Sequence, residues 1–300
     1  MAIINNDVKF LFYCRTLGVD FKNILTLGRL RFYGSNEYLQ QQIERFKNNV
    51  KSLDEVSFTD DFAEPVFQIL GAETIDSVDY SNYQKATILH DLNIPLPIAL
   101  HNKYSVVMDS GTLEHVFNFP VAIESCMNAL IVGGYYIAVS PVNNMMGHGF
   151  YQFSPELYFN VFSAANGFEI TKMIITASNE QGDFDHWYEV LNPAVVNNRV
   201  ELTNHLPTFL MVVAKKTAVK KVFLNYPQQS DYVSTWKKNE EHEAMLKSWK
   251  PGNKGKAISA YLPARLRNVL SLIYREWRSN KSTTKDLGAI DNRFYKKMDI

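Results

Sequence analysis

Residues 104–118 read Tyr104-Ser105-Val106-Val107-Met108-Asp109-Ser110-Gly111-Thr112-Leu113-Glu114-His115-Val116-Phe117-Asn118. Tyr104–Met108 is a short apolar run of the kind that fills a buried strand, and it ends on Asp109. Downstream, Phe119–Ile131 carries apolar residues at helical spacing, and Gly133-Gly134 supplies a C-terminal stop for that helix. Tyr135–Val139 then reads as another buried strand, closing on Ser140-Pro141. A strand, a helix and a strand in immediate succession set the rhythm for the rest of the chain.

Working outward, Asn23–Leu27 is a strand running into Gly28, and Ser35 stands as N-cap to a helix over Asn36–Asn49. Thr74–Val78 ends in Asp79, and Ala86–Leu89 ends in His90-Asp91. After residue 141, Pro155–Ala165 reads as a helix capped by Ser154 with Pro155 in its first turn, and Ile170–Thr176 and Thr208–Ala214 as strands. Strands alternating with helices predict an α/β architecture, a doubly wound, mostly parallel sheet covered on both faces. In such sheets ligands sit beyond the carboxyl ends of the strands. Gly28, Asp79, Asp91 and Asp109 follow four successive strands. Each alone is an ordinary turn former, but the set predicts a polar ligand.

Composition sets the bounds. Apolar residues make up 46% and charged residues 21% of the 300, which excludes collagen-like and disordered chains. Cys14 and Cys126 form no CxxC or Cys/His cluster, so neither a disulfide framework nor a structural zinc site is expected. Asp183-Phe184-Asp185-His186-Trp187 reads as an exposed loop rather than a metal site, and no metal is assigned. With no long apolar segment and no leader-like start, the reading is a soluble, cytoplasmic protein. The net charge of zero hides two halves: residues 218–300 carry 17 Lys and Arg against 8 Asp and Glu, and residues 1–217 carry the opposite excess. A boundary is placed near Thr217, with a basic, mainly helical extension over 218–300, including Lys237–Trp249 and Pro263–Arg278. That extension either docks on the acidic body or contacts an anionic lipid surface or a nucleic acid, and no nucleic-acid motif accompanies it.

Over residues 22–216 the chain resembles the class I S-adenosylmethionine-dependent methyltransferases. Asp109 followed by small residues, Leu113-Glu114-His115-Val116, a helix, Gly133-Gly134 and a strand ending in Pro141 carry the resemblance. So do Val142–Leu157 (Gly147-His148-Gly149-Phe150-Tyr151 among them) and Gly167-Phe168-Glu169. The resemblance implies a Rossmann-like fold with S-adenosyl-L-methionine as cofactor. It places Asp79 on the ribose hydroxyls, Asp91 with Leu92 at the adenine, and the backbone around Asp109-Ser110 near the methionine amino group. The turn at Gly28 would receive the methionine carboxylate. That turn, Leu27-Gly28-Arg29-Leu30-Arg31-Phe32-Tyr33-Gly34, lacks the family's glycines at alternate positions, so Arg29 or Arg31 is the expected substitute. Tyr83 is expected as a ring wall.

For chemistry, His148 and His115 are the candidate proton acceptors, with Tyr151 and Gln152 as further contacts. The expected reaction is methyl transfer to an oxygen or nitrogen of a small molecule or sugar-containing precursor. The altered glycine turn keeps open an inactive, methyltransferase-like binding or scaffolding protein.

Overall fold

The computed structural model describes residues 2–46, 50–178, 184, 186–196, 199–237 and 291–300. In chain order its elements are β1 (Ala2–Ile3), α1 (Asn5–Thr16), β2 (Asn23–Leu27), β3 (Arg31–Phe32), α2 (Asn36–Phe46), α3 (Glu64–Ile69), β4 (Thr74–Asp79) and β5 (Ile88–Leu89). Then come β6 (Tyr104–Ser110), α4 (Phe119–Ala129), β7 (Leu130–Asn143), α5 (Pro155–Val161), β8 (Phe168–Ala177), β9 (Trp187–Val190), α6 (Pro193–Val196), β10 (Thr208–Lys216) and β11 (Tyr295–Lys297).

Nine strands form one sheet in the order β11-β9-β8-β10-β7-β6-β2-β4-β5. The run from β5 to β7 is parallel throughout, and β10 lies antiparallel between β7 and β8. The α/β expectation is met: the first four sheet strands reverse direction of growth at the β2/β6 boundary, which creates a switch-point crevice.

The period of two along each strand sorts its side chains to two helical layers. Leu25, Leu27, Val107, Tyr136, Ala138, Leu210 and Val212 point to the layer of α4 and α5, where Ile123, Met127 and Tyr158 are buried. Ile24, Val106, Met108, Ile137, Val139, Met211 and Val213 point the other way, to α1, α2 and α3, through Phe10, Leu39 and Phe67. Burial on both faces is why these strands read as continuous apolar runs.

Several local expectations hold and others are corrected. Ser35 caps α2 by accepting from the Tyr38 amide (3.1 Å), and Ser154 caps α5 by accepting from Leu157 (3.4 Å). Gly133-Gly134 is no helix stop. The helix ends at Ala129 and the chain enters β7 at once, with both glycines inside the strand beside a register shift against β6. A Cβ on Gly134 would stand 3.0 Å from the Ser105 carbonyl, so the close approach of β7 to β6 needs glycine there. The orphan carbonyls at the end of α4 are met instead by Lys216, whose ammonium donates to Met127 (3.0 Å) and Leu130 (2.7 Å).

Trp187, expected in an exposed loop, is buried at the start of β9 and donates to Asn6 Oδ1 (3.0 Å). Asp183 and Asp185 lie outside the described residues. So do residues 238–290, with most of the expected basic extension. Of its described parts, 230–237 is helical and β11 pairs antiparallel with β9 at the sheet edge.

Candidate active site

At the switch point, the tips of β2 and β6 are tied together where Thr112 Oγ1 donates to the Leu27 carbonyl (2.7 Å). Beyond this clasp lies a cavity of about 530 Å³, lined by Gly28, Val78, Asp79, His90, Asp91, Leu92, Thr112, His115 and Val116 among others. Its apolar patches come from Val78, Leu92 and Val116, its acceptors from the two aspartates. Asp79 Oδ1 accepts the Ser81 amide (3.1 Å), and its other oxygen receives no bond among the described residues. Asp91 Oδ1 accepts the Asn93 amide (2.9 Å) and side chain (2.8 Å), which holds the carboxyl below its ordinary range. Asn93 is pinned in turn by Asn118, so the turn under the cavity is fixed at both ends.

A second cavity of about 290 Å³ adjoins it and shares His115. Its walls include Asp7, Ser110, Glu114, His115, Pro141 and His148. The side chain of Glu114 is 0% exposed, and neither of its oxygens has a hydrogen-bond partner among the described residues. Burial, with the neighbouring Asp109 charge, pushes its pKa upward. His148 Nε2 lies 3.5 Å from Glu114 Oε1, and the His115 and His148 rings are 5.2 Å apart. Burial and His148 together lower the pKa of His115. Asp7 stands buried on the same cavity, its carboxyl pushed up to about 7 by burial while it accepts the Ile4 amide (3.0 Å).

The loop carrying His148 is placed by the protein's own backbone. The Glu114 carbonyl accepts both the Phe150 amide (2.7 Å) and the Tyr151 amide (3.2 Å). A Cβ on Gly149, which has φ +77°, would fall 2.7 Å from that carbonyl. Gly149 therefore admits Glu114, and this latch brings the sequence-distant His148 to His115.

Of the residues expected in the site, Gly28, Asp79, Asp91, Leu92 and His115 share the first cavity, and Ser110, His115 and His148 the second. The others are corrected. Asp109 is fully buried inside the sheet, where its carboxylate accepts from Thr112 (3.0 Å), Leu113 (3.3 Å) and the Tyr136 hydroxyl (3.0 Å). It organises the β6 tip and lines neither cavity. Ser110 spends its hydroxyl on the Ala2 carbonyl (2.8 Å). Arg29 is committed to Glu64 (2.6 Å) and Asp60 (2.9 Å), with its guanidinium 3.7 Å from the Phe62 ring centre, so its charge is already balanced. Arg31 makes a looser pair with Asp61 (3.8 Å). The Gly28 amide donates to Val78 (2.7 Å), and the chain then forms β3 against β1 instead of entering a helix. Tyr83 is 85% exposed and lines neither cavity. Tyr151 is a tether: its hydroxyl donates to the Phe117 carbonyl (2.7 Å) and its ring stacks on Phe153. Gln152 accepts the Met145 amide (3.1 Å) within its loop.

Sequence reasoning missed Glu114 and Asp7. Glu114 was in view between Leu113 and His115, but only the fold reveals its burial. Asn5-Asn6-Asp7 ahead of the apolar stretch Val8–Cys14 was a helix-start signal that could have placed Asp7.

No protein-family model and no curated protein matches the sequence. Among solved structures, the chain is similar to TehB from Haemophilus influenzae, at 12% identity over 68% of this chain and 61% of that one, with a TM-score of 0.37. It is also similar to the branched-chain polyamine synthase of Thermus thermophilus in complex with N4-aminopropylspermidine and 5'-methylthioadenosine, at 11% identity over 75% of this chain and 61% of that one, TM-score 0.36. A third is a protein provisionally described as a sarcosine dimethylglycine methyltransferase from Galdieria sulphuraria, at 12% identity over 71% and 86%, TM-score 0.39. The chain thus spans about three fifths of the first two.

Proposed function

We propose that this protein is an S-adenosylmethionine-dependent methyltransferase whose acceptor presents an oxygen or nitrogen on a small molecule or sugar-containing precursor. The observation that carries the reading is the paired cavity at the switch point. An open chamber with two carboxylates and an apolar lining adjoins a smaller one with two imidazoles, and His115 forms part of both walls.

The first chamber suits an adenosyl group. A purine needs apolar faces, which Val78, Leu92 and Val116 offer, and a ribose diol needs an acceptor, which the unengaged oxygen of Asp79 offers. When bound, the cofactor supplies a methyl group already activated on its sulfonium. The chain's own task is then to align an acceptor, exclude water and remove a proton. His148 and His115 stand at the second chamber for that last step, with the buried Glu114 behind them.

One observation favours the second reading, an inactive, methyltransferase-like binding or scaffolding protein: Arg29 is spent on Asp60 and Glu64, leaving no described lysine or arginine for the methionine carboxylate in the first chamber. Calorimetry with S-adenosylmethionine and its demethylated product separates the outcomes. The proposal expects saturable binding of both, abolished together by Asp79→Ala and Asp91→Ala. Absence of binding at millimolar concentration would remove it.

A further inference from the structure

We propose that Glu114, His115 and His148 form a binding site for a divalent transition-metal cation of the zinc or manganese class, at the wall between the two chambers. What the ion would do rests on the methyl-transfer reading; its binding does not. The three side chains offer one oxygen and two nitrogens, and their ligand atoms lie within 4.8 Å of one another. Glu114 Oε1 and His148 Nε2, 3.5 Å apart, already have about the separation of two donors held 2.0–2.2 Å from one ion.

The independent observation is the state of Glu114. Its carboxylate is fully buried, with no hydrogen-bond donor to either oxygen among the described residues, and it faces the chamber that both histidines line. Buried carboxylates are normally hydrogen-bonded or paired, and a bound cation would supply the partner that this one lacks. The surrounding structure is built to hold it there. The Glu114 carbonyl clamps the 149–151 backbone, and the missing side chain of Gly149 is what lets the two meet.

The donor set selects the ion. Two imidazoles and a carboxylate suit zinc, manganese or iron, whereas magnesium and calcium seek oxygen-rich shells. Three protein donors leave coordination positions open, as in reactive rather than structural sites. Those positions would give onto the second chamber, where an acceptor oxygen could take one and lose its proton more readily. His115 and His148, the proton acceptors when no ion is bound, would then hold the ion, and the acceptor's proton would pass to solvent at the open side of that chamber.

The test uses the full-length chain freed of metal by chelation, titrated by calorimetry with Zn²⁺, Mn²⁺ and, separately, Mg²⁺. The proposal expects one Zn²⁺ per chain, with Mg²⁺ bound at least tenfold more weakly. Glu114→Gln and His148→Ala should each weaken Zn²⁺ at least tenfold, and the visible spectrum of the Co²⁺-loaded protein should change in both. His148 is 46% exposed, so His148→Ala should keep the wild-type melting temperature and report binding alone. No saturable Zn²⁺ site in the wild type, or equal affinity in both variants, would overturn the proposal. Titrating the demethylated cofactor on the same samples keeps the two readings apart. Metal without nucleoside removes the methyltransferase and keeps this site; nucleoside without metal does the reverse.

Discussion

At the amino ends of the parallel strands, Asp76 is met by the Lys103 ammonium (2.8 Å) and the Tyr104 hydroxyl (2.8 Å), and Glu73 by Lys22 (3.3 Å). Burial works against the Asp76 carboxylate, yet these donors hold its pKa below the ordinary value. At the carboxyl ends of the same strands, Asp79, Asp91 and Glu114 meet no lysine or arginine among the described residues. One sheet, with the same strands and packing, thus pairs Asp76 and Glu73 with lysines at one edge and leaves Asp79, Asp91 and Glu114 without a lysine or arginine at the other. Structural carboxylates acquire local partners because stability requires it; those held without one mark the place where something else arrives.

The largest effect that would sharpen this contrast is a pair of opposite responses. Asp79→Ala should weaken nucleoside affinity tenfold to about a hundredfold, as expected for losing hydrogen bonds to a charged group, with little change in melting temperature. Asp76→Asn should lower the melting temperature by a few degrees and leave that affinity alone. Calorimetry and thermal melts on both variants check it, and a loss of affinity in Asp76→Asn would erase the distinction between the two ends.

Next in size is Gly149→Ala. A side chain at positive φ, pressed against the Glu114 carbonyl, should cost about 1–3 kcal/mol and release the His148 loop. Thermal unfolding should show the loss, and an unchanged melting curve would mean that the latch is not holding the second chamber.

Smaller, and specific in pH, is the effect of Asp7. Its folded pKa of about 7 stands above the ordinary 3.8, so the folded state binds the proton more tightly than the unfolded one. Its contribution is complete below about pH 4 and is lost as pH rises through 7. Asp7→Asn should therefore flatten the decline of stability between those limits, read as melting temperature at pH 5 and pH 8. A parallel decline in both proteins would contradict the burial of that acid. The smallest effect belongs to Arg29. Because Asp60 and Glu64 already hold it, Arg29→Gln should change nucleoside affinity by less than about twofold, whereas a tenfold loss would return it to the site.

Much of the parallel half was legible because burial on both faces writes each strand as an apolar run closing on a turn residue. Asn23–Leu27 and Tyr104–Ser110 are of this kind, whereas Thr74–Asp79 is only partly buried and carries Ile75 and Val78 alone as apolar residues. The remainder depends on distant partners. The glycines in β7 look like a helix stop until Ser105 is packed against them, and β11 is a strand only because β9 lies beside it. Asn5–Thr16 was missed as a helix because Asn6 and Asp7 are buried along with its apolar residues, which removes the usual polar face. Among the residues lining the first cavity, Asp79 and Asp91 followed from their places at the ends of two strands. Asp109 did not, since whether an acid at a strand tip faces ligand or core turns on Tyr136, 27 residues away.

The most direct measurement is a crystal structure of the protein with the demethylated cofactor bound. The account predicts the adenosyl group in the chamber of Gly28, Asp79 and Leu92, its ribose hydroxyls on Asp79 and its adenine beside Asp91. A nucleoside bound at any other place on the chain, with Asp79 and Asp91 left facing solvent, would contradict it.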